Sequence, residues 1–202
     1  MAAMKSDGSV LTWGNASYGG DCSTVRSQLA GGVEQVVAGG SAMAAMKSDG
    51  SVLTWGNAGR GGDYTTVRSQ LAGGVAQVVA GRSVMAAVKS DGSVLTWGDA
   101  VSGGDSTTVR SQLAGGVAQV VAGNFAMAAV KSDGSVVTWG HFSCGGNCTT
   151  VRSQLDDGVE HVVAGGHAMA NVTPSPGGGP VRRRIRGKRP GMPTPAQERR
   201  QR

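Results

Sequence analysis

Aromatic side chains make up only 4 % of this 202-residue sequence and charged ones only 16 %. Both fractions are low for a globular domain, so the four Trp are the natural large core residues. The six Pro exclude a collagen-like or Pro-rich chain. Three Cys, an odd number, do not form a disulfide framework and suit a reducing compartment. No apolar run approaches the roughly 20 residues that span a bilayer as a helix, and no basic stretch followed by an apolar one marks a signal peptide. The expected location is therefore intracellular, cytoplasmic or nuclear, without membrane contact. On that expectation the sequons at Asn15, Asn147 and Asn171 are chance matches.

Motifs that carry chemistry are also missing. There is no Gly-x-Ser-x-Gly elbow, no His-Glu-x-x-His and no phosphate-cradling Gly loop followed by Lys-Ser/Thr. No catalytic residue, cofactor or metal is expected, and the chain is read as not an enzyme. Cys144-Gly-Gly-Asn-Cys148 is the nearest approach to a metal or disulfide spacing. Zinc needs further N or S ligands, and the pair is read as two free thiols.

What the sequence does have is glycine, 35 residues of it, together with many Val, Thr and Ser. That mixture points to short strands joined by tight turns. Charge is unevenly placed. Up to Val172, ten Lys/Arg face twelve Asp/Glu; from Thr173, nine Lys/Arg face Glu198 alone. Residues 1–172 therefore read as a folded domain and 173–202 as a basic disordered tail, too poor in apolar residues to order. Its cluster Arg182, Arg183, Arg184, Arg186, Lys188 and Arg189 suits a localisation signal or a weak, salt-sensitive, non-specific contact with nucleic acid.

Internal repetition settles the architecture. Lys-Ser-Asp-Gly begins at Lys5, Lys47, Lys89 and Lys131; Trp-Gly at Trp13, Trp55, Trp97 and Trp139; Thr-Val-Arg-Ser-Gln-Leu at Thr24, Thr66, Thr108 and Thr150, always 42 residues apart. Within a unit, Val75 to Ala80 and Val84 to Val88 are short apolar runs. Ser93 to Trp97 is a β-branched third strand, and Ser90-Asp91-Gly92 closes a hairpin with a bulge at the glycine. Thr107 to Leu113 reads as a fourth strand or a short helical turn. The fold class is thus all-β, tandem 42-residue units in a β-propeller-like or open blade array, with the tail appended. One Trp per copy serves as the knob between units. The chain starts inside a unit and closes with Val159 to Val172, a copy of the first two strands only, so ring and open arc both remain open.

The repeated pattern Val-x-Gln-Val-Val-Ala-Gly, Ala-Ala-(Met/Val)-Lys-Ser-Asp-Gly-Ser-Val-x-Thr-Trp-Gly, Gly-Gly-Asp resembles the regulator-of-chromosome-condensation, or RCC1-like, repeat over residues 1–172. The resemblance implies a β-propeller and binding roles: exchange activity on the GTPase Ran in one branch, accessory domains of HECT-type ubiquitin ligases in another. The family's His position holds Ala42, Val84, Ala126 and Ala168 here. No insertion breaks the repeat to form the wedge that the exchange branch uses. The expected function is a protein-interaction module with a protein partner, as the repeat part of a larger ubiquitin-ligase-related protein. A lectin-like propeller with exposed Trp rings is the alternative, and a Ran-type exchange factor the third.

The copies differ from one another in two places, and stacked repeats project equivalent loops on one side. One is Ala16–Tyr18, Ala58–Arg60, Ala100–Ser102 and Phe142–Cys144; the other is Gly40–Ala42, Arg82–Val84 and Asn124–Ala126. Tyr18, Arg60, Ser102, Phe142, Arg82 and Phe125 are accordingly the candidate binding residues, with loop drift as the plain alternative. The identical Lys-Ser-Asp-Gly turns are structural. Asp21, Asp63 and Asp105, each five residues before an Arg, suggest repeated ion-pair clamps.

Overall fold

The computed structural model describes residues 1–172. The basic cluster from Arg182 to Arg189 and the expected disorder from Thr173 lie outside the described residues.

Each unit is a three-stranded antiparallel sheet in chain order. β3 (Val33–Ala38), β4 (Ala42–Lys47) and β5 (Val52–Gly56) form one; β6 (Val75–Ala80), β7 (Val84–Lys89) and β8 (Val94–Gly98) the next. β9 (Val117–Ala122), β10 (Ala126–Lys131) and β11 (Val136–Gly140) form the third. Two-stranded sheets flank them, β1 (Ala2–Met4) with β2 (Val10–Thr12), and β12 (His161–Ala164) with β13 (Met169–Val172). First strands of successive units adjoin: β3 lies by β6, β6 by β9, β9 by β12.

The middle strands explain why the repeat carries Ala-Ala where a half-buried strand would alternate apolar and polar. β4, β7 and β10 are buried over nearly their whole length because both faces meet a neighbouring unit. Met43 and Ala45 face back, packing with Val10, Val25 and Leu29. Ala42 and Ala44 face forward, towards Met85, Ala87 and Trp97. The small Ala-Ala pair lets both neighbouring units approach such a doubly covered strand at close-packed density.

The hairpin turn takes the expected form. Gly92 sits at φ 77° and donates to the Lys89 carbonyl (2.9 Å), while Lys89 N–H donates to the Ser93 carbonyl (2.8 Å). This is a type I turn followed by a left-handed glycine. Asp91 Oδ1 accepts from the Ser93 hydroxyl (2.6 Å) and backbone N–H (2.9 Å). Those bonds, the hydroxyl first, hold the exposed carboxyl below its ordinary value of 3.8; Asp7, Asp49 and Asp133 repeat the arrangement. A carboxyl with a lowered folded-state pKa contributes stability above its unfolded pKa, and that contribution is lost as pH falls through the folded value. The melting temperature should therefore be level near neutrality and fall below about pH 4. Replacing all four by Asn should flatten the acid limb of a melting-temperature profile; an unchanged limb would show that these turns do not set it.

The segment left open between strand and helical turn is a helical turn. Thr107–Val109 is a 3-10 helix, as are Ser23–Val25 and Thr149–Gln154. It ends on Leu113, which is buried between units and whose carbonyl accepts from Val94 N–H (2.9 Å). Asp21, Asp63 and Asp105 accept from the backbone N–H two residues on, as Asn147 does, at 2.8–2.9 Å. They cap these turns and are not ion-pair clamps: among the described residues the ion pair is Arg152–Asp156, 3.6 Å and exposed. The swap of Asp for Asn in the fourth copy fits this, because an amide oxygen accepts equally well.

Of the two layouts the sequence leaves open, the described residues form the open arc, since the five sheets stay separate and β12–β13 does not pair with β1–β2. The expectation that every copy's Trp is a knob between units is corrected in one copy. Trp55, Trp97 and Trp139 are buried between units, but Trp13 is 51 % exposed because no unit lies on its open face.

Candidate functional site

Two rims bound the array. One carries the Lys-Ser-Asp-Gly turns, each held to the start of the next unit, as where Val117 N–H donates to the Gly92 carbonyl (3.0 Å). The other carries both sets of variable loops. Within each unit those loops are joined by one backbone bond: Asn57 N–H to Ser41 (2.9 Å), Asp99 N–H to Ser83 (2.9 Å) and His141 N–H to Phe125 (2.8 Å). Positions separated by about sixteen residues in sequence are thus side by side because β4, β7 and β10 each run down from one loop and the paired outer strand returns to the other.

Across units the variable residues make a continuous strip. The guanidinium carbon of Arg82 lies 5.7 Å from the centre of the Phe125 ring, within cation–π range. Phe125 in turn stacks obliquely against His167 of the next unit at 5.2 Å and meets His141 edge-on at 6.4 Å. Beyond it, Cys144 Sγ is 3.5 Å from His167 Nδ1. Arg60 Nη1 donates to Ser41 Oγ (3.4 Å). A cleft spanning the second, third and fourth units is lined by Arg60, Arg82, Asp99 and Phe125. Its two guanidinium groups and one aromatic face, beside a single carboxylate, suit an acidic or planar group on a partner.

Of the six candidate residues, Arg60 and Arg82 are exposed and Phe125 is half-buried within this strip. Tyr18 is exposed on the first unit and Phe142 is 71 % exposed on the fourth. Ser102 is the exception. It aligns with Tyr18 and Arg60 but is 1 % exposed, its hydroxyl donating to Asp99 Oδ2 at 2.5 Å. A side chain that short turns inward to satisfy its own loop and offers nothing to a partner. Its neighbour Val101, 62 % exposed, stands beside Phe142 over a shallow depression and takes that place on the surface. The sequence signal for Val101 was a β-branched apolar residue where other copies have Ser or Gly.

The cysteines are free, Cys22 buried and Cys144 and Cys148 partly covered. Among the described residues no three His, Cys, Asp or Glu side chains gather at metal-ligand spacing, and no helix is long and apolar enough to cross a membrane.

No protein-family model matches the chain. No curated protein matches its sequence. Solved structures do match. The yeast RCC1 (Prp20) complex with Kap60 aligns over 85 % of this chain and 51 % of the other, with 17 % identity and a TM-score of 0.55. Human WBSCR16 aligns over 86 % and 55 %, with 19 % identity and a TM-score of 0.49. The ectodomain of the receptor kinase CR4 from Physcomitrella patens aligns over 72 % and 37 %, with 16 % identity and a TM-score of 0.47. The chain spans about half or less of the solved chains it matches. With antiparallel three-stranded units leaning on one another and a backbone path shared with the yeast RCC1 complex, this protein has the RCC1-like repeat fold, laid out as an open array.

Proposed function

We propose that the array is a non-catalytic protein-interaction module whose partner contacts the variable rim. The observation that carries this reading is the coincidence of two independent patterns. The variable loops of all copies gather on one rim, while the Lys-Ser-Asp-Gly turns, identical in every copy, lie on the other. Exposed Arg and aromatic side chains, the types that anchor protein interfaces, are Tyr18, Arg60, Arg82 and Phe142 on that rim. The yeast RCC1 with which it shares a fold is solved bound to a protein, Kap60, which supports a protein partner here. The finer reading, the repeat part of a larger ubiquitin-ligase-related protein, rests on the sequence pattern and is tested by the length of the natural transcript.

A carbohydrate-binding role through Trp rings required exposed indoles, and three of the four are buried. Exchange activity of the Ran type has no wedge to act through, since the repeat runs without insertion.

Replacing Tyr18, Arg60 and Phe142 together by Ala should leave the melting temperature within a degree or so, as exposed substitutions do, and remove most capture of the protein partner in a pull-down. Lys5→Ala on the opposite rim should capture as the parent does. Equal capture by both variants would place the contact elsewhere.

A further inference from the structure

One contact recurs three times along the array. The indole N–H of Trp55 donates to the Gly19 carbonyl (3.0 Å), that of Trp97 to Gly61 (3.1 Å) and that of Trp139 to Gly103 (2.9 Å). Each acceptor belongs to the preceding unit, at a separation of 36 residues. Around it, the outer strand of each unit lies over a groove made jointly by the unit before and its own first two strands. For Trp139 and Val137 the unit before supplies Val94, Val109 and Leu113, and their own sheet supplies Val120 and Met127.

The two ends of the array carry the separated halves of a fourth such contact. At one end an apolar groove is lined by Val136, Val151, Leu155, Val162 and Met169, with Gly145 at its margin. These are the same positions one repeat later, each 42 residues on. Met169 already lies against Gly145, as Met127 lies against Gly103, but no Trp is there. Residues 173–202 cannot supply one, because their sequence holds no aromatic residue. At the other end, Leu11 and Trp13 are the equivalents of Val137 and Trp139, and both are exposed, with no groove beneath them. The strand edges match as well. Among the described residues β13 is paired on one side only, with β12, and β2 only with the three-residue β1.

We infer that the groove at Gly145 and Met169 is a docking site for β2 of a second copy of this chain, with the second copy's Trp13 donating to the Gly145 carbonyl. The inserted strand pairs with β13 in the register seen inside the array, where Met127 faces Trp139 and Ala128 faces Thr138. Met169 then faces the second copy's Trp13, and Ala170 its Thr12. In the second copy β13 takes the place of β1, the middle strand that the docked unit would otherwise have twice. Main-chain pairing supplies affinity and the indole pocket supplies register, as in other strand-addition complexes. Because the two surfaces differ, copies join head to tail, into chains or closed rings. This inference does not rest on the proposed function, because it is argued from the seam between units.

The test is sedimentation equilibrium of the 202-residue protein over a wide concentration range, with two variants that spoil opposite surfaces. The parent's average mass should rise with concentration above 20.2 kDa, and acrylamide quenching of its tryptophan emission should fall in parallel. Trp13→Ala loses the knob and Val151→Glu, at a partly exposed position, charges the groove. Each alone should weaken association by roughly thirtyfold or more, as for a buried aromatic anchor, while keeping the parent's circular dichroism. Mixed, they should recover a one-to-one pair, since one retains the groove and the other the Trp. A parent that stays at monomer mass throughout overturns the inference. So do variants that associate like the parent, and so does a Trp13 already shielded at the lowest concentration, which would mean the groove is filled within one chain.

Discussion

Trp97→Ala should destabilise the array by about 3–5 kcal/mol, the range for removing a buried Trp, whereas Trp13→Ala should change the monomer by well under about 1 kcal/mol. Both residues follow the same Ser-Asp-Gly-Ser-Val-Leu-Thr run, so the difference lies in packing. Trp97 is 3 % exposed and sits in a cluster with Ala42, Ala44 and Val52 of the preceding unit and Met85 of its own. Truncation opens a cavity at the seam between two units and leaves the Gly61 carbonyl without its donor. A seam is also where cooperativity is transmitted in a stacked-repeat protein. The denaturant transition of Trp97→Ala should therefore broaden or split as well as shift. Trp97→Phe keeps most of the ring and loses the hydrogen bond, and should fall between the two, near 1 kcal/mol for the bond itself. Equal losses at Trp13 and Trp97 would mean that the indoles do not act between units.

Gly104→Ala should cost about 3 kcal/mol, the upper part of the range for forcing an added methyl into a close-packed site. Positive φ is not the reason here. A Cβ on Gly104 would stand 2.5 Å from the Gly98 carbonyl oxygen and 2.7 Å from its carbon, both backbone. Neither side can retreat, because Gly104 N–H donates to the Asp99 carbonyl (2.9 Å) and its own carbonyl accepts from Thr96 Oγ1 (3.0 Å). Gly20, Gly62 and Gly146 repeat the approach. Gly59, in the same loop of another copy, meets nothing closer than a side-chain oxygen at 3.8 Å, and Gly59→Ala should be neutral within about 0.5 kcal/mol. Thermal or denaturant unfolding of the pair of variants decides it; two equal melts would remove the close approach as the reason for the second glycine of each Gly-Gly.

The 42-residue spacing, the turn chemistry of Ser-Asp-Gly and the β-branched run up to Trp made the three strands of each unit legible before any coordinates, because all three are local signals. Thr107 to Leu113 was not, since its Thr and Val suit a strand while its burial depends on Leu113 lying in a seam between two units. Asp105 and Arg110 suggested an ion pair from spacing alone, but the nearer backbone N–H of Thr107 takes the carboxylate first. The variable rim followed from comparing copies. What the comparison could not give was depth: Ser102 aligns with two exposed residues and is itself buried, because a hydroxymethyl group reaches its own loop and a longer side chain does not. Trp13 likewise shares the Val-x-Thr-Trp-Gly pattern of its three counterparts, and its exposure sets it apart.

The central claim is that a unit is held in shape by its neighbours. It is tested most directly by comparing the melt of the single unit 75–116 with that of residues 33–158, which contain three. A single unit exposes both faces of β7, so it should show no cooperative transition by circular dichroism, while the longer fragment melts cooperatively. A lone unit melting as sharply as the fragment, at a similar temperature, would contradict the account.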